Sequence, residues 1–238
     1  MSRQISFLGP TDAFPPTCEA LEEPNGLLAA GGELTPQRLL AAYRSGIFPW
    51  YEEPQPVLWW SPNPRSVMFP HELHVSRSLR KVLRRGAYTL AVDTAFSAVM
   101  AACAEPRNYG AGSWIGREML GAYITLHQLG FAHSIEVYDE STALVGGLYG
   151  VAIGGVFFGE SMFSIQPNTS KVALVALVDI LARGHFGLID CQVGNPHMVS
   201  LGSREIVRLD FEARLAQYIG IQTDPGIWSL PGTCGELL

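Results

Sequence analysis

Apolar and polar positions change their rhythm several times along the chain, and each change marks an element. Thr35-Pro36 reads as an N-cap followed by Pro at the first helical position; Leu39, Leu40 and Tyr43 then recur at helical spacing until Gly46 stops the run. Ser76 to Arg85 predicts a second helix, capped by Ser76 and ended by Gly86, and Tyr88 to Val92 a strand. Thr94 to Ala104 carries an apolar stripe of Phe96, Val99 and Met100, and Ile115 to Leu129 predicts a longer helix ended by Gly130. Ala132 to Tyr138, Leu144 to Gly150 and Ala152 to Phe158 read as three successive strands, with a Gly turn near Gly154-Gly155. Ser170 to Arg183 is a strongly apolar helix stopped by Gly184, Leu188 to Gln192 is a strand, and short helices follow to about Ile219. Residues 1–25 are Pro-rich and irregular, and 47–65 reads as an aromatic, Pro-rich connector. This order predicts an α+β fold, a mixed sheet flanked by helices, with a boundary near Arg65 between a small unit (1–65) and a larger one (66–238).

The uncharged run Leu144 to Gly159 is shorter than the roughly 20 residues of a membrane span and is broken by six glycines, so it is expected to be buried strand. Hydrophobic residues make up 47% of the 238, enough for a sizeable core, and charged residues only 16%, which excludes a disordered chain. The first ten residues lack the apolar stretch of a signal peptide, and the four cysteines are far apart with no C-x-x-C pair. A cytoplasmic protein is expected.

The net charge is −6, yet Arg77, Arg80, Lys81, Arg84 and Arg85 stand together, five of sixteen basic residues in one segment with no acid between Glu72 and Asp93. An unbalanced cluster on an acidic protein points to an anionic partner. His71 and His74 have no third ligand in view and read as surface residues.

The chemistry-bearing residues lie in two stretches. Glu160 has Val-Phe-Phe-Gly before it and Ser-Met-Phe after it; a partly buried carboxylate needs a partner, which favours a site over a solvated strand end. Asp190 and Gln192 are two apart in a strand, so both side chains leave one face, either as a structural tie to a loop or as the polar edge of a pocket. Two carboxylates and an amide in apolar surroundings, without metal-ligand spacing, suit positioning an amine better than activating a water. Asn168-Thr-Ser-Lys171 opens a helix and reads as N-capping by Asn168 or Ser170. No Gly-rich phosphate loop is present there, which weakens a coenzyme-A-dependent acetyltransferase as a rival reading. A non-catalytic binding protein is the other rival, and the polar trio argues against it. Trp50 and Trp114 sit in loops or at a helix start, where an aromatic can act as a platform for a base; core filling is the alternative, as for Trp59 and Trp60.

Several long motifs then carry a resemblance. They are Gly26-Leu-Leu-Ala-Ala-Gly-Gly-Glu-Leu-Thr-Pro, Gly46-Ile-Phe-Pro-Trp50, Leu58-Trp-Trp-Ser-Pro-Asn-Pro-Arg65, Gly112-Ser-Trp-Ile115, His133-Ser-Ile-Glu136, Leu144-Val-Gly-Gly-Leu-Tyr-Gly150, Gly159-Glu-Ser-Met-Phe-Ser164 and Leu188-Ile-Asp-Cys-Gln192. In this order, from about Gly26 to Phe211, the chain resembles the leucyl/phenylalanyl-tRNA–protein transferases. The resemblance implies a small N-terminal domain followed by an acetyltransferase-like (GNAT) domain. It implies transfer of Leu, Phe or Met from aminoacyl-tRNA to proteins beginning with Arg or Lys, which creates an N-terminal degradation signal. Carried over, Asp190, Gln192 and Glu160 are the polar active-site residues. Trp50 and Trp114 contact the aminoacyl-adenosine end, and Leu148, Met162, Leu174 and Ile189 form the apolar pocket for the transferred side chain. The basic segment would then grip the tRNA backbone. An aminoacyl ester is already activated, so no metal or other cofactor is expected, and a monomer is expected to suffice.

Overall fold

The computed structural model describes residues 5–105 and 115–237. In chain order the regular elements among them are β1 (Ser6–Leu8), β2 (Leu27–Gly31), α1 (Pro36–Arg44), β3 (Phe48–Pro49), β4 (Leu58–Trp60), β5 (Arg65–Met68), α2 (Arg77–Arg85), β6 (Thr89–Val92), α3 (Phe96–Ala104), α4 (Arg117–Gln128), β7 (Ala132–Tyr138), β8 (Leu144–Ile153), β9 (Val156–Ser164), α5 (Thr169–Arg183), β10 (Leu188–Gln192), α6 (Pro196–Ser200), β11 (Arg204–Ile206) and α7 (Arg208–Tyr218). They form a four-stranded sheet, β1-β2-β4-β3, and a seven-stranded sheet, β11-β5-β10-β9-β8-β7-β6. Both sheets are mixed: β1 runs parallel to β2 and β9 parallel to β10, with the other pairs antiparallel.

The helix signals work as their chemistry requires. Thr35 accepts from the Arg38 N–H at the start of α1, and Ser76 accepts from the Leu79 N–H at the start of α2. Gly86 closes α2 in the left-handed conformation at φ 63°, where a Cβ is disfavoured. α5 differs from expectation. Asn168 takes φ 70° and its side chain caps nothing; Ser164 Oγ instead accepts from the Ser170 N–H, and Thr169 Oγ1 donates to the Val145 carbonyl. The cap therefore comes from the preceding strand.

Three sequence expectations are corrected. The irregular N-terminal stretch contains β1, and the connector 47–65 contains β3, β4 and the first residue of β5. These strands have two to four residues, too few for a period-2 pattern to register. The hairpin turns at Gly154-Gly155 as expected, but the strand bounds differ: Ala152 belongs to β8, and β9 runs from Val156 to Ser164. Glu160 is consequently inside a strand and not at its end.

Successive residues of the large sheet feed opposite layers. Tyr149, Phe158 and Leu188 join a cluster with α1, α3, α4, α7 and the four-stranded sheet, whereas Leu148, Phe157 and Ile189 join one with α2, α5 and the C-terminal segment. α5 buries eleven of its fifteen residues, as a helix apolar on most sides must. Each fully buried Leu, Ile or Val there contributes about 1.5–3 kcal/mol. The C-terminal segment has a definite place. Leu90 N–H donates to the Gly232 carbonyl and Cys234 N–H to the Tyr88 carbonyl, which covers the open edge of β6. Trp228 stacks on His133 at 3.5 Å between ring centroids.

Candidate active site

The parallel strands β9 and β10 pair only at Val156/Leu188, Phe157/Ile189 and Phe158/Asp190. Immediately beyond, both strands bulge. On β9, Tyr149 faces Ser161 and Gly150 faces Gly159, which leaves Glu160 as the extra residue. On β10, Val67 faces Asp190 and Ser66 faces Gln192, which leaves Cys191 as the extra residue. The bulges turn Glu160 and Gln192 toward each other past the C-terminal ends of the parallel pair, the position where open sheets form ligand crevices.

Glu160 is the hub of the resulting cluster. Gln192 Nε2 donates to its Oε1 at 3.0 Å, the Tyr43 hydroxyl to the same oxygen at 2.7 Å, and the Tyr123 hydroxyl to Oε2 at 3.0 Å. The two tyrosine hydroxyls also bond each other. These three residues thus form a ring with three oxygen–oxygen links, for which two phenols supply only two protons. A proton on Glu160 would close the ring, with Glu160 donating to one phenol and that phenol to the other. Consistent with this, Glu160 is pushed up to about 7, first by burial and also by the charge of Asp190, against the lowering effect of its hydrogen bonds. Burial and the nearby Glu160 hold Tyr43, Tyr123 and Tyr149 well above the usual phenol value, so all three stay protonated.

Asp190 has a different environment. Arg65 Nε donates to its Oδ1 at 2.8 Å and Nη2 to its Oδ2 at 2.6 Å, with both side chains fully buried. Oδ1 also accepts the backbone N–H of Gln192 at 2.9 Å. Gln192 sits at φ 61°, a conformation that costs a non-glycine residue on the order of 1–3 kcal/mol and persists only where surroundings enforce it.

The other expected site residues are placed as follows. Leu148, Leu174 and Ile189 are buried in the layer that contains α2 and α5, and Met162, opposite Leu148 in register, is partly buried against it. The tyrosines that hold Glu160 pack in the opposite layer. The trio hydrogen-bonds to Tyr43, Tyr123 and Arg65. Met162 lies two residues past Glu160, on the part of β9 that β10 leaves unpaired. Trp50 is 46% exposed and its ring lies 5.6 Å from that of Trp60; Trp59, by contrast, is fully buried and donates to the Gly31 carbonyl. Trp114 lies outside the described residues. Arg77, Arg80, Lys81, Arg84 and Arg85 all lie exposed on α2, while Leu79 and Leu83 face the core.

Sequence reasoning misses Arg65, Tyr43 and Tyr123 as site residues. Arg65 has a signal, a lone cation closing an aromatic and Pro-rich run, but that signal marks a boundary as readily as a site. Tyr43 looks like one more residue of an apolar helical stripe. Tyr123 carries no signal of its own, because what distinguishes it is a bond across 37 residues.

Comparison with known proteins adds to this geometry. The family model described as leucyl/phenylalanyl-tRNA protein transferase matches residues 67–216, and that for its N-terminal domain matches 32–63. A leucyl/phenylalanyl-tRNA–protein transferase of Pseudomonas entomophila is 58% identical over 206 residues, covering 87% of this chain and 91% of that protein. One of Aromatoleum aromaticum is 55% identical over 225 residues, covering 94% of each. The solved structure of L-PGS from Bacillus licheniformis aligns with a TM-score of 0.40 at 10% identity, over 71% of this chain and 53% of that one, below the level that establishes a shared fold. With both family models matched in chain order and more than half the aligned residues shared with relatives matched over nearly their whole length, this chain belongs to the leucyl/phenylalanyl-tRNA protein transferase family.

Proposed function

We propose that the protein transfers Leu or Phe, and also Met, from aminoacyl-tRNA to the N-terminal Arg or Lys of acceptor proteins in the cytoplasm, and so creates an N-terminal degradation signal. Beyond the family itself, the observation that carries this reading is the Glu160–Gln192 pair where β9 and β10 stop pairing, backed by the buried Arg65–Asp190 pair. We read 1–65 as a small N-terminal unit and 66–238 as acetyltransferase-like, on the strength of a mixed sheet with one parallel pair at its centre.

The reaction is aminolysis of an ester. The acceptor's α-amine attacks the aminoacyl carbonyl, the new C–N bond forms, the ester C–O bond breaks, and the terminal ribose oxygen leaves with a proton. The amine has a pKa of about 7.7–8.0 and is partly neutral at cellular pH, so much of the catalysis can be positioning. Gln192 donates through Nε2 to Glu160, which leaves its amide oxygen to accept from the attacking amine. Both Asp190 oxygens are held by Arg65, and one also accepts the Gln192 N–H, so Asp190 orients Gln192 and does not take the proton. Glu160 in its ionised form attracts the acceptor's cationic group. Met162, with Leu148, Leu174 and Ile189 behind it, offers the transferred side chain an apolar and adaptable wall. Trp50 and Trp114 serve the terminal adenosine.

The direct test is transfer of labelled Leu or Phe from pre-charged tRNA to a peptide beginning with Arg, compared with the same peptide N-acetylated. Label is expected on the first and not on the second; label on neither sinks the proposal.

The tRNA backbone is expected to be gripped by α2. Its five cations line the solvent side of the helix, and among the described residues none forms an ion pair. Changing Arg80, Lys81 and Arg84 together to Ala is expected to raise KM for aminoacyl-tRNA and to flatten the log–log salt slope by about 2–3, roughly one for each phosphate that is no longer neutralised. A small aminoacyl-adenosine donor should be used nearly as well as before. Normal tRNA binding by the triple variant would mean that α2 is only a solvated face.

A further inference from the structure

We propose that Arg65 is a positioning residue for the transfer step, acting through Asp190 on the backbone of Gln192. The inference rests on the role given to Gln192 above and extends it one residue further from the reacting atoms. Arg65 is the first residue of β5, next to β10, and its guanidinium is fully buried. It lies between two aromatic rings, 4.7 Å from the Phe48 centroid and 4.6 Å from that of Phe211. Phe48 belongs to β3 of the small sheet and Phe211 to α7, so the clamp joins both of these to the strand that carries Asp190.

The ion pair is poorly explained as a source of stability alone. Removing two charges from water is costly, and apolar residues of similar volume often serve a core as well or better. Arg65 moreover leaves Nη1 buried without a hydrogen-bond partner among the described residues. What an apolar pair could not supply is a carboxylate oxygen fixed where the Gln192 N–H needs it. Gln192 adopts its left-handed conformation at that spot, immediately past the bulge at Cys191, and its amide reaches Glu160 from there. Two parallel N–H···O bonds fix the plane of Asp190, and a Lys in place of Arg65 could hold the charge but not the plane. The chain of control runs from the aromatic clamp to the guanidinium, the carboxylate, the Gln192 backbone and finally its amide.

The test is a kinetic comparison of wild type, Arg65→Lys, Phe48→Leu, Asp190→Asn and the Arg65→Lys/Asp190→Asn double variant. Leu-charged tRNA and an Arg-initiated peptide are used well below each variant's melting temperature. Arg65→Lys is expected to lower kcat about tenfold or more while both KM values stay within about twofold, since orientation and not ground-state binding is disturbed. Phe48→Leu keeps the ion pair and loosens its clamp, so it should lower kcat by a smaller factor, again at constant KM. Adding Arg65→Lys to Asp190→Asn should cost little further, because the two act as a unit. If Arg65→Lys fails to fold, the kcat loss in Phe48→Leu at constant KM supports the proposal, and a wild-type kcat there overturns it. A folded Arg65→Lys enzyme with wild-type kcat, a parallel rise in both KM values, or a fully additive double variant overturns it while leaving the proposed function standing. A wild-type protein that transfers nothing overturns the function and this inference with it.

Discussion

Asp190→Ala is expected to destabilise the fold by about 3–5 kcal/mol, in addition to stopping transfer. The physical reason is the charge left behind. Arg65 is fully buried and gives two of its donors to Asp190, and removing one partner of a buried ion pair leaves the other unpaired at roughly that cost. A domain is stable by only about 5–15 kcal/mol, so the loss is a large share of the total. For a chain of this length it corresponds to a fall in Tm of roughly 6–20 °C. The Gln192 N–H loses its acceptor in the same step, and Gln192 is freed from a conformation it holds only under constraint. Replacing both partners, as in Arg65→Met with Asp190→Leu, should recover most of the stability and none of the activity. Thermal or urea unfolding of Asp190→Ala and of the Arg65→Met/Asp190→Leu double variant separates the effects. A Tm for Asp190→Ala within about 2 °C of wild type, on the same conversion of stability to Tm, would show that the pair does not bear on the fold as its burial indicates.

The central strands of the large sheet and its helices were legible because their segments are long enough for a period to show, whereas β5 and β11, of four and three residues, were not, β11 lying where only short helices were expected. β7, α5 and β10 all fall close to where the pattern places them, and the caps at Thr35 and Ser76 make the hydrogen bonds that their chemistry predicts. The small sheet was not legible. Its strands are short, and residues such as Trp59 and Ala29, which face each other in the ladder, are fixed by a sheet partner far away in sequence and not by local alternation. The position of Glu160, Asp190 and Gln192 beside one another could be guessed from composition and spacing. The devices that bring them together could not. A bulge is one unpaired residue in a ladder, and nothing in Gly159-Glu160-Ser161 announces which residue it will be. Arg65 meets Asp190 across 125 residues and Tyr43 meets Glu160 across 117, so both partnerships are products of topology. Ile189 joins the layer opposite to the one that holds the tyrosines.

Raising the pH from about 4.5 to about 7 is expected to remove stability through Glu160, by up to about 3 kcal/mol. The folded carboxyl titrates near 7, against about 4.5 for an ordinary glutamate, chiefly because it is buried. In that window the folded protein keeps a proton that the unfolded chain has released, so each pH unit weakens the fold by about 1.4 kcal/mol. The contribution is complete below about 4.5, is lost progressively as pH rises, and has no further slope above about 7. Asp139 is held below the usual carboxylate range by Ser141 and Ala143 and acts in the opposite sense at lower pH. Glu160→Gln isolates the effect, since Asp139 is common to both proteins and cancels in the difference. Wild type minus Glu160→Gln, followed by urea unfolding across the window, should trace a single titration. Activity supplies an independent reading. The acceptor's cation is attracted only by the ionised form, so its KM should rise as pH falls below about 7, about tenfold per unit once the carboxyl is mostly protonated. The α-amine of the acceptor titrates identically with both enzymes, so the ratio of their KM values reports Glu160 alone. A ratio that stays constant from about pH 6 to about pH 8, with no slope in the stability difference, would place the carboxyl at its ordinary value and open the ring it shares with Tyr43 and Tyr123.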